Sequence, residues 1–265
     1  MTEVQRLRKA LNFLTSHLPG ASELAEIAET PSYTLTTNHV ENAEKELLET
    51  TATQFSSRDH QEALDRFKEK RLNNLEVGRL YERYLGYLYE QDGYEVTFKG
   101  VVDQFDDLGR DLIARKDDEY KIIQAKCWSK QKTIHEKHVY QLYTSHLHWR
   151  MSMRKALQEQ YGRQEARRRM TPISQNLKAV ICTTTDLSET AMEVVKYTAM
   201  EHRLIPLEKN YPMIKCNINK NTGSKLYHLP FDPAYDTIII GNVDGERYVE
   251  TVKEAEDLGF SRAGH

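Results

Sequence analysis

The chain has 265 residues, of which 39% are hydrophobic, and 37 Lys and Arg against 40 Asp and Glu give a net charge of −3. With a mean hydropathy of −0.70 it is polar, yet 15 Tyr, 7 Phe and 2 Trp can fill the core of one medium domain with appendages or of two small ones. The composition and patterning exclude a membrane span, a chain-wide basic surface for nucleic acid and, with only Cys127, Cys182 and Cys216, a disulfide framework or a CxxC zinc knuckle. MTEVQRLRKALNF lacks a long apolar stretch and a small-residue cleavage site, so secretion is not expected and the expected compartment is a reducing cytoplasm.

Residues 1–76 read as a helical, polar arm. Val4, Leu7, Leu11, Leu14 and Leu18 are spaced 3, 4, 3, 4, which places an apolar seam on one helix face and makes a coiled coil or partner arm one reading, a solvated hairpin the other. Pro19-Gly20 ends that helix. A second helical region is expected from about Asn38 through HQEALDRFKEKRLNNL.

The texture changes after Gly78. Leu80, Tyr81, Tyr84, Leu85, Leu88 and Tyr89 recur at helical spacing, and Gln91-Asp-Gly93 stops the helix. Tyr94–Phe98 alternates as a strand, Leu112–Ala114 is a short strand, Lys116–Glu119 is turn chemistry and Tyr120–Trp128 is the strongest strand of the chain. Residues 135–170 predict one or two helices, with a basic insertion at 145–175. Leu177–Cys182 is an apolar strand, Ser188 an N-cap for a helix to about His202, and Leu204–Leu207 a further strand. Residues 209–265 read as a small unit with strands at Met213–Lys215, Lys225–Leu229 and Thr237–Ile240 and a closing helix at Val252–Leu258.

The chemistry concentrates between Asp111 and Lys126. Alternation along a strand puts Gln124 and Lys126 on one face and Ile123, Ala125 and Cys127 on the other. If residues 111–114 and 120–127 pair as a hairpin, Asp111 joins Gln124 and Lys126, bringing together a carboxylate, an amide oxygen and an ammonium. Mg²⁺ takes oxygen ligands and keeps several waters, so one or two carboxylates suffice to hold it beside a phosphate. Asp111 is then the principal ligand, Gln124 a ligand or positioner, Lys126 the group that orients water and stabilises developing charge, and Glu82 on the preceding helix a second carboxylate. The same pair, Asp111 and Lys126, also suits an ordinary cross-strand salt bridge.

Gly78-Arg-Leu-Tyr-Glu82, Gly93-Tyr-Glu-Val96, Asp107-Leu-Gly-Arg-Asp111-Leu-Ile113 and Ile123-Gln-Ala-Lys-Cys-Trp128 together resemble the core of restriction-endonuclease-like (PD-(D/E)xK) nucleases. They are most similar to the Mrr-like branch, in which Gln replaces the usual acid in a QxK motif. The similarity continues through Ala179–Thr184 to Ala191 and spans roughly residues 76–207. It implies an α/β fold: a central mixed sheet flanked by helices in a core at 77–208, with the helical arm before it and a small α+β module after it. It also implies Asp111, Gln124 and Lys126 as the catalytic signature with Glu82 as the helix acid, and Mg²⁺ or Mn²⁺ as cofactor. Arg110 departs from the pattern, standing where a small residue is common. The tail, with Lys215-Cys-Asn217, Gly223–Pro230 and Glu254–Phe260, looks like a short module appended to various bacterial proteins, nucleases among them. Its Cys216 and His228 are two candidate ligands, too few for a tetrahedral metal site.

Two further features carry expectations. His135 and His138 stand at i, i+3 without a zinc-protease pattern and read as a solvated face. Arg150, Arg154, Arg163, Arg167, Arg168 and Arg169 against Glu159 and Glu165 form the one local basic surface, a candidate for contact with DNA phosphates. The reading is a metal-dependent DNA endonuclease of restriction, anti-phage defence or DNA processing, acting as a homodimer or homo-oligomer, with a partner protein possible through the N-terminal helices and no membrane. The alternative is a nuclease-fold module that binds DNA or a partner and cuts weakly or not at all.

Overall fold

The computed structural model describes residues 57–98, 109–129, 132–241 and 243–264. The 4-7-11-14-18 seam and the first part of the second expected helix lie outside them. The chain divides between Gln54 and Phe55, and the described elements all belong to the second unit.

Helix α1 (Ser57–Glu69) stops before Arg71-Leu-Asn73, and α2 (Asn74–Gln91) starts anew from a capping box. There Asn73 accepts the Glu76 amide at 3.0 Å, and the Glu76 carboxylate accepts the Asn73 amide at 2.9 Å. The continuous helix expected through RLNNL is therefore two helices, because the cap satisfies the amides that a restart exposes.

Five strands follow in a mixed sheet of order β1-β2-β3-β4-β5. They are β1 (Glu95–Phe98), β2 (Leu112–Lys116), β3 (Glu119–Lys126), β4 (Leu177–Thr183) and β5 (Glu201–Leu204). Strand β2 runs antiparallel to its neighbours β1 and β3; β3, β4 and β5 run parallel, so long crossovers must join them. Those crossovers are α3 (Glu136–Asn176) and α4 (Glu189–Tyr197). One face of the sheet packs Leu112, Ile123, Val180 and Cys182 against Tyr81, Leu85 and Tyr89 of α2. The other packs Ile113, Ile122, Ala179 and Ile181 against Val139, Leu142 and Trp149 of α3 and Ala191 and Val195 of α4. Side chains such as Leu85, Leu112 and Ile181, at 0% exposure, each contribute about 1.5–3 kcal/mol by burial. This is the α/β architecture expected from the sequence, a central mixed sheet flanked by helices.

Two details differ from expectation, the end of α4 and the place of β5. Helix α4 ends at Tyr197 rather than near His202, since Ala199 takes a φ of +54° and Met200 N–H turns back to Val195 C=O. Residues 201–204 are thereby free to extend beside β4, and the strand sits there rather than at 204–207. The basic insertion belongs to α3, which breaks into two arms at Gly162 (φ 78°, ψ 167°), a conformation open to glycine and costly for other residues.

The last residues form a four-stranded sheet, β8-β6-β7-β9, from β6 (Ile214–Ile218), β7 (Lys225–His228), β8 (Arg247–Val249) and β9 (Ser261–Arg262), with α5 (Val252–Asp257) beside it. Thr237–Ile240, expected as a strand, is instead a 3-10 turn (Tyr235–Thr237) and an irregular segment. The carbonyl of Ile238 accepts the buried Lys215 ammonium at 2.6 Å in place of a ladder partner. Cys216 is buried in this core, and His228 Nε2 pairs with Asn217 Oδ1 at 2.9 Å, so neither is drawn into a metal site. Helix α1 packs here too: Leu64 is fully buried with Ile214, Tyr227 and Val252, and the Val252 amide donates to Gln61 Oε1 at 2.8 Å.

Helix α2 is gripped by this second sheet through charge. Arg83 binds Asp236 with two parallel bonds of 2.7 and 2.9 Å and also donates to Pro230 C=O, while Arg79 reaches Asp236 at 2.6 Å. Burial works to raise the Asp236 carboxyl, but the bonds and charge of Arg83, then Arg79, outweigh it and hold its pKa below the usual range. Further along the helix, Glu90 faces Lys215 at 3.8 Å, both side chains at 1% exposure or less. The ammonium also lies over the rings of Tyr235, Phe98 and Tyr248 at 5.0, 5.4 and 5.8 Å, and Tyr248 Oη donates to Glu90.

Burial pushes Glu90 up and Lys215 down, so each charge persists because of the other and of the bonds around it. Removing one partner strands the other. Lys215→Met should lower unfolding free energy in urea by about 3–5 kcal/mol, and Lys215→Met combined with Glu90→Gln should recover a good part of that loss. A strictly additive double mutant would show that the pair is not coupled.

Candidate active site

The site begins with the register of β2 against β3. Leu112 pairs with Ile123 and Ile113 with Ile122, so Asp111, one residue before β2, lies across from Gln124. The Asp111 amide donates to Ile123 C=O at 3.0 Å. Because β2 begins at Leu112, the Ala125 amide has no β2 carbonyl opposite it, and Asp111 Oδ2 accepts that amide at 2.6 Å. One carboxylate oxygen is thus anchored to the strand that carries Gln124 and Lys126.

The far end of β3 is tied to β4. Thr184 N–H donates to Lys126 C=O at 3.1 Å, and Thr184 Oγ1 accepts from Trp128 N–H and donates to Trp128 C=O, both at 2.8 Å. Lys126, at the last position of the strand, is therefore held on a braced backbone.

Glu82 enters from α2. Burial, then the nearby Asp111 carboxylate, raise its pKa to about 7 against the weaker opposite pull of Arg79 and Lys126. Two carboxylates close enough to disfavour each other's charge, with an ammonium beside them, form a site that gains from an added proton or cation. Glu82, Asp111 and Lys126 are thus electrically one group, although α2 packs on the sheet face opposite to α3.

Gln124 is fully buried. Its Nε2 donates to Gln141 Oε1 on α3 at 3.2 Å, while its Oε1 is enclosed with no hydrogen-bond partner. A buried orphan carbonyl costs on the order of 1–3 kcal/mol, a cost that a bound cation would remove. Among the described residues, no group of three His, Cys, Asp or Glu side chains gathers as a metal site. The donors present are two carboxylates and an amide oxygen, a hard, oxygen-only set that fits Mg²⁺ or Mn²⁺ keeping its waters.

Neighbouring residues add what the sequence did not reveal. Gln141 carries no motif, and only its contact with Gln124 marks it. His138, one turn before it, departs from the solvated face expected. Its ring meets Trp128 edge-on at 5.2 Å, its Nε2 is enclosed without a partner, and burial, then the charge of Lys126, keep its pKa below the usual value. His135 stays exposed, so the two histidines do not form a metal pair. Arg110, bulky in sequence, is buried.

The six arginines of the insertion separate into two sets. Arg168 and Arg169 both reach Glu165, at 3.5 and 2.9 Å, and Arg169 also covers the Tyr161 ring at 4.1 Å. Arg150, Arg154, Arg163 and Arg167 have no acidic partner among the described residues. Arg150 and Arg154 of the first arm and Arg167 of the second line a groove of about 450 Å³ with Thr171, Ser174 and Gln175. Arg163 joins Arg154 and Arg167 in the adjoining recess.

No curated protein matches this chain. A solved structure titled "Crystal Structure of Protein of Unknown Function AF1548" aligns at 18% identity and a TM-score of 0.31 over 46% of this chain, which spans 56% of that structure's own length. Residues 75–157 match the family model described as restriction endonuclease, of the Mrr type. That span runs from the start of α2 into the first arm of α3 and contains Glu82, Asp111, Gln124, Lys126 and Gln141; the match supports a restriction-endonuclease-like nuclease domain over these residues.

Proposed function

We propose that the chain is a divalent-metal-dependent DNA endonuclease in which Asp111, Glu82 and Gln124 hold Mg²⁺ or Mn²⁺ and Lys126 serves the reacting phosphate. The observation that carries this reading is the electrostatic coupling of Glu82 to Asp111 and Lys126, with a buried, unpartnered Gln124 oxygen on the strand that carries Lys126, inside the segment that matches the nuclease family. When bound, the cation supplies Lewis acidity toward a phosphate oxygen and lowers the pKa of a bound water. The protein's own part is distinct. Asp111, fixed by the Ala125 amide, presents its carboxylate at the strand end. Lys126 offers an ammonium to an attacking water or to charge developing on the phosphorus oxygens. Glu82, its pKa raised to about 7 by burial and by Asp111, can carry a proton or share a cation.

The arginine groove supplies the second half of the reading. Four guanidiniums without acidic partners suit a phosphate backbone, whose contacts add affinity without reading sequence. Three free cysteines suit the reducing cytoplasm in which restriction or DNA processing would operate. Among the described residues no helix is long and apolar enough to cross a membrane. Cutting both strands with one such site per chain is most simply done by a two-fold pair, a state that light scattering on DNA would reveal.

Asp111→Ala and Lys126→Ala should each lower metal-dependent nicking of supercoiled plasmid on the order of 10²-fold or more while still folding cooperatively, with Asp111→Ala alone losing some stability because the Ala125 amide loses its acceptor. Glu82→Gln should be milder, and EDTA should abolish cleavage. Near wild-type nicking by Lys126→Ala overturns the assignment, and tight DNA binding with no cleavage by the wild type favours the binding-module reading.

The arginines give a separate measurement. Charge reversal at Arg150, Arg154 and Arg167 should weaken binding of all duplexes about equally and flatten log K against log salt by about one unit for each phosphate no longer neutralised. Reversal of Arg168 and Arg169, already engaged by Glu165, should change the slope less. Equal slopes for the two sets would place the DNA path elsewhere.

A further inference from the structure

We propose that Gln141 is a positioning residue whose carbonyl oxygen decides which end of the Gln124 amide is offered to the cation; the inference rests on the metal-dependent reading of the site. A side-chain amide has two ends of nearly equal size, one an acceptor and the other a donor of two hydrogens. Sterics alone cannot choose between them, so its partners must. At a position where this family of motifs commonly has an acid, both terminal atoms would be acceptors and either would serve a cation. With Gln124 in that place, only one end serves, and an unguided amide would present its nitrogen part of the time.

The structure supplies the guide. Gln124 Nε2 donates to Gln141 Oε1 at 3.2 Å, which commits the donor end to α3 and leaves Oε1 enclosed and unpartnered. Gly109, two residues before Asp111, closes the arrangement. A Cβ there would lie 2.6 Å from Gln141 Cδ and 2.8 Å from Gln124 Nε2, so both amides pack directly on its backbone and have little room to swing. The Asp111 segment, the Gln124 strand and the Gln141 helix therefore meet at one point, and the bond between the two amides is what gives that point a polarity.

Hydrogen bonds that orient a metal ligand commonly tune metal affinity by about 10–100-fold. The experiment uses the full chain without DNA and titrates Mn²⁺, following free ion by electron paramagnetic resonance, with plasmid nicking and thermal unfolding alongside. Gln141→Leu keeps the shape but removes the acceptor and should weaken Mn²⁺ binding about 10-fold or more. Gln141→Glu keeps an acceptor oxygen and should stay near wild type. The deciding arm is Gln124→Glu, which makes both ends acceptors: in that background Gln141→Leu should no longer weaken binding. A merely structural Gln141 predicts the same loss in both backgrounds, and that result, or wild-type Mn²⁺ affinity in Gln141→Leu, overturns the proposal. A wild-type chain that neither binds Mn²⁺ nor cuts would instead overturn the nuclease reading, and this inference with it.

Discussion

The antiparallel register of β2 on β3 is the constraint on which the site depends. With Leu112 opposite Ile123, Asp111 falls across from Gln124, and its carboxylate takes the Ala125 amide that β2 is too short to reach. A slip by one residue would turn every side chain of β2 to the other face. It would send Leu112 and Ala114 away from α2 and separate Asp111 from the QxK strand. The apolar packing that fixes the register is therefore also what assembles the polar site. Core and chemistry share one determinant, and neither can shift alone.

Helix α2 carries a second coupling. Its apolar face, Tyr81, Leu85 and Tyr89, is buried on the sheet; Glu82 reaches the site; Arg79, Arg83 and Glu90 are held by Asp236 and Lys215 of the C-terminal residues. Those residues thus bear on the position of a site carboxylate without entering the site. Arg79 makes the link concrete, since it bonds Asp236 and also draws down the pKa of Glu82. A buried ion pair is a poor source of net stability but a demanding one for geometry, because any misalignment leaves a desolvated charge unmatched. That demand suits a contact that must hold a site-bearing helix in one position.

Beyond the core, α3 shows how one element serves two chemistries. Its first turns pack Val139 and Leu142 under the sheet and bring His138 and Gln141 to the end of β3. Past Trp149 the helix turns at Gly162, and Arg150, Arg154 and Arg167 of its two arms line a common groove. Within the basic stretch Met153 and Ile173 still pack on the core and Ala166 and Met170 are buried, so the same helix combines support of the sheet with a charged surface. Glu165 neutralises part of that surface and leaves the part formed between the arms.

Much of this is legible in the residues. Alternation in Tyr120–Trp128 places Gln124 and Lys126 on one face, the aromatic spacing from Leu80 to Tyr89 locates α2, and Ser188 marks a helix start that the structure confirms by its bond to Ala191 N–H. These features rest on local periodicity and capping, which a sequence states directly. Expectation and structure part where a local signal meets a tertiary demand. Thr237–Ile240 has the apolar texture of a strand, but its backbone serves the buried Lys215 through the Ile238 carbonyl. His138 has charged neighbours that suggest solvent, yet Trp128 and the strand end enclose it. Arg167–Arg169 are consecutive and suggest one patch, but a helix points consecutive residues in different directions. Periodicity and motif pointed to the type of fold and to Asp111, Gln124 and Lys126 as the candidate residues of β2 and β3. The contact of Gln141 with Gln124 and the closing of a groove between two arms were decided only by the tertiary structure, because each depends on distances between segments that no local pattern encodes.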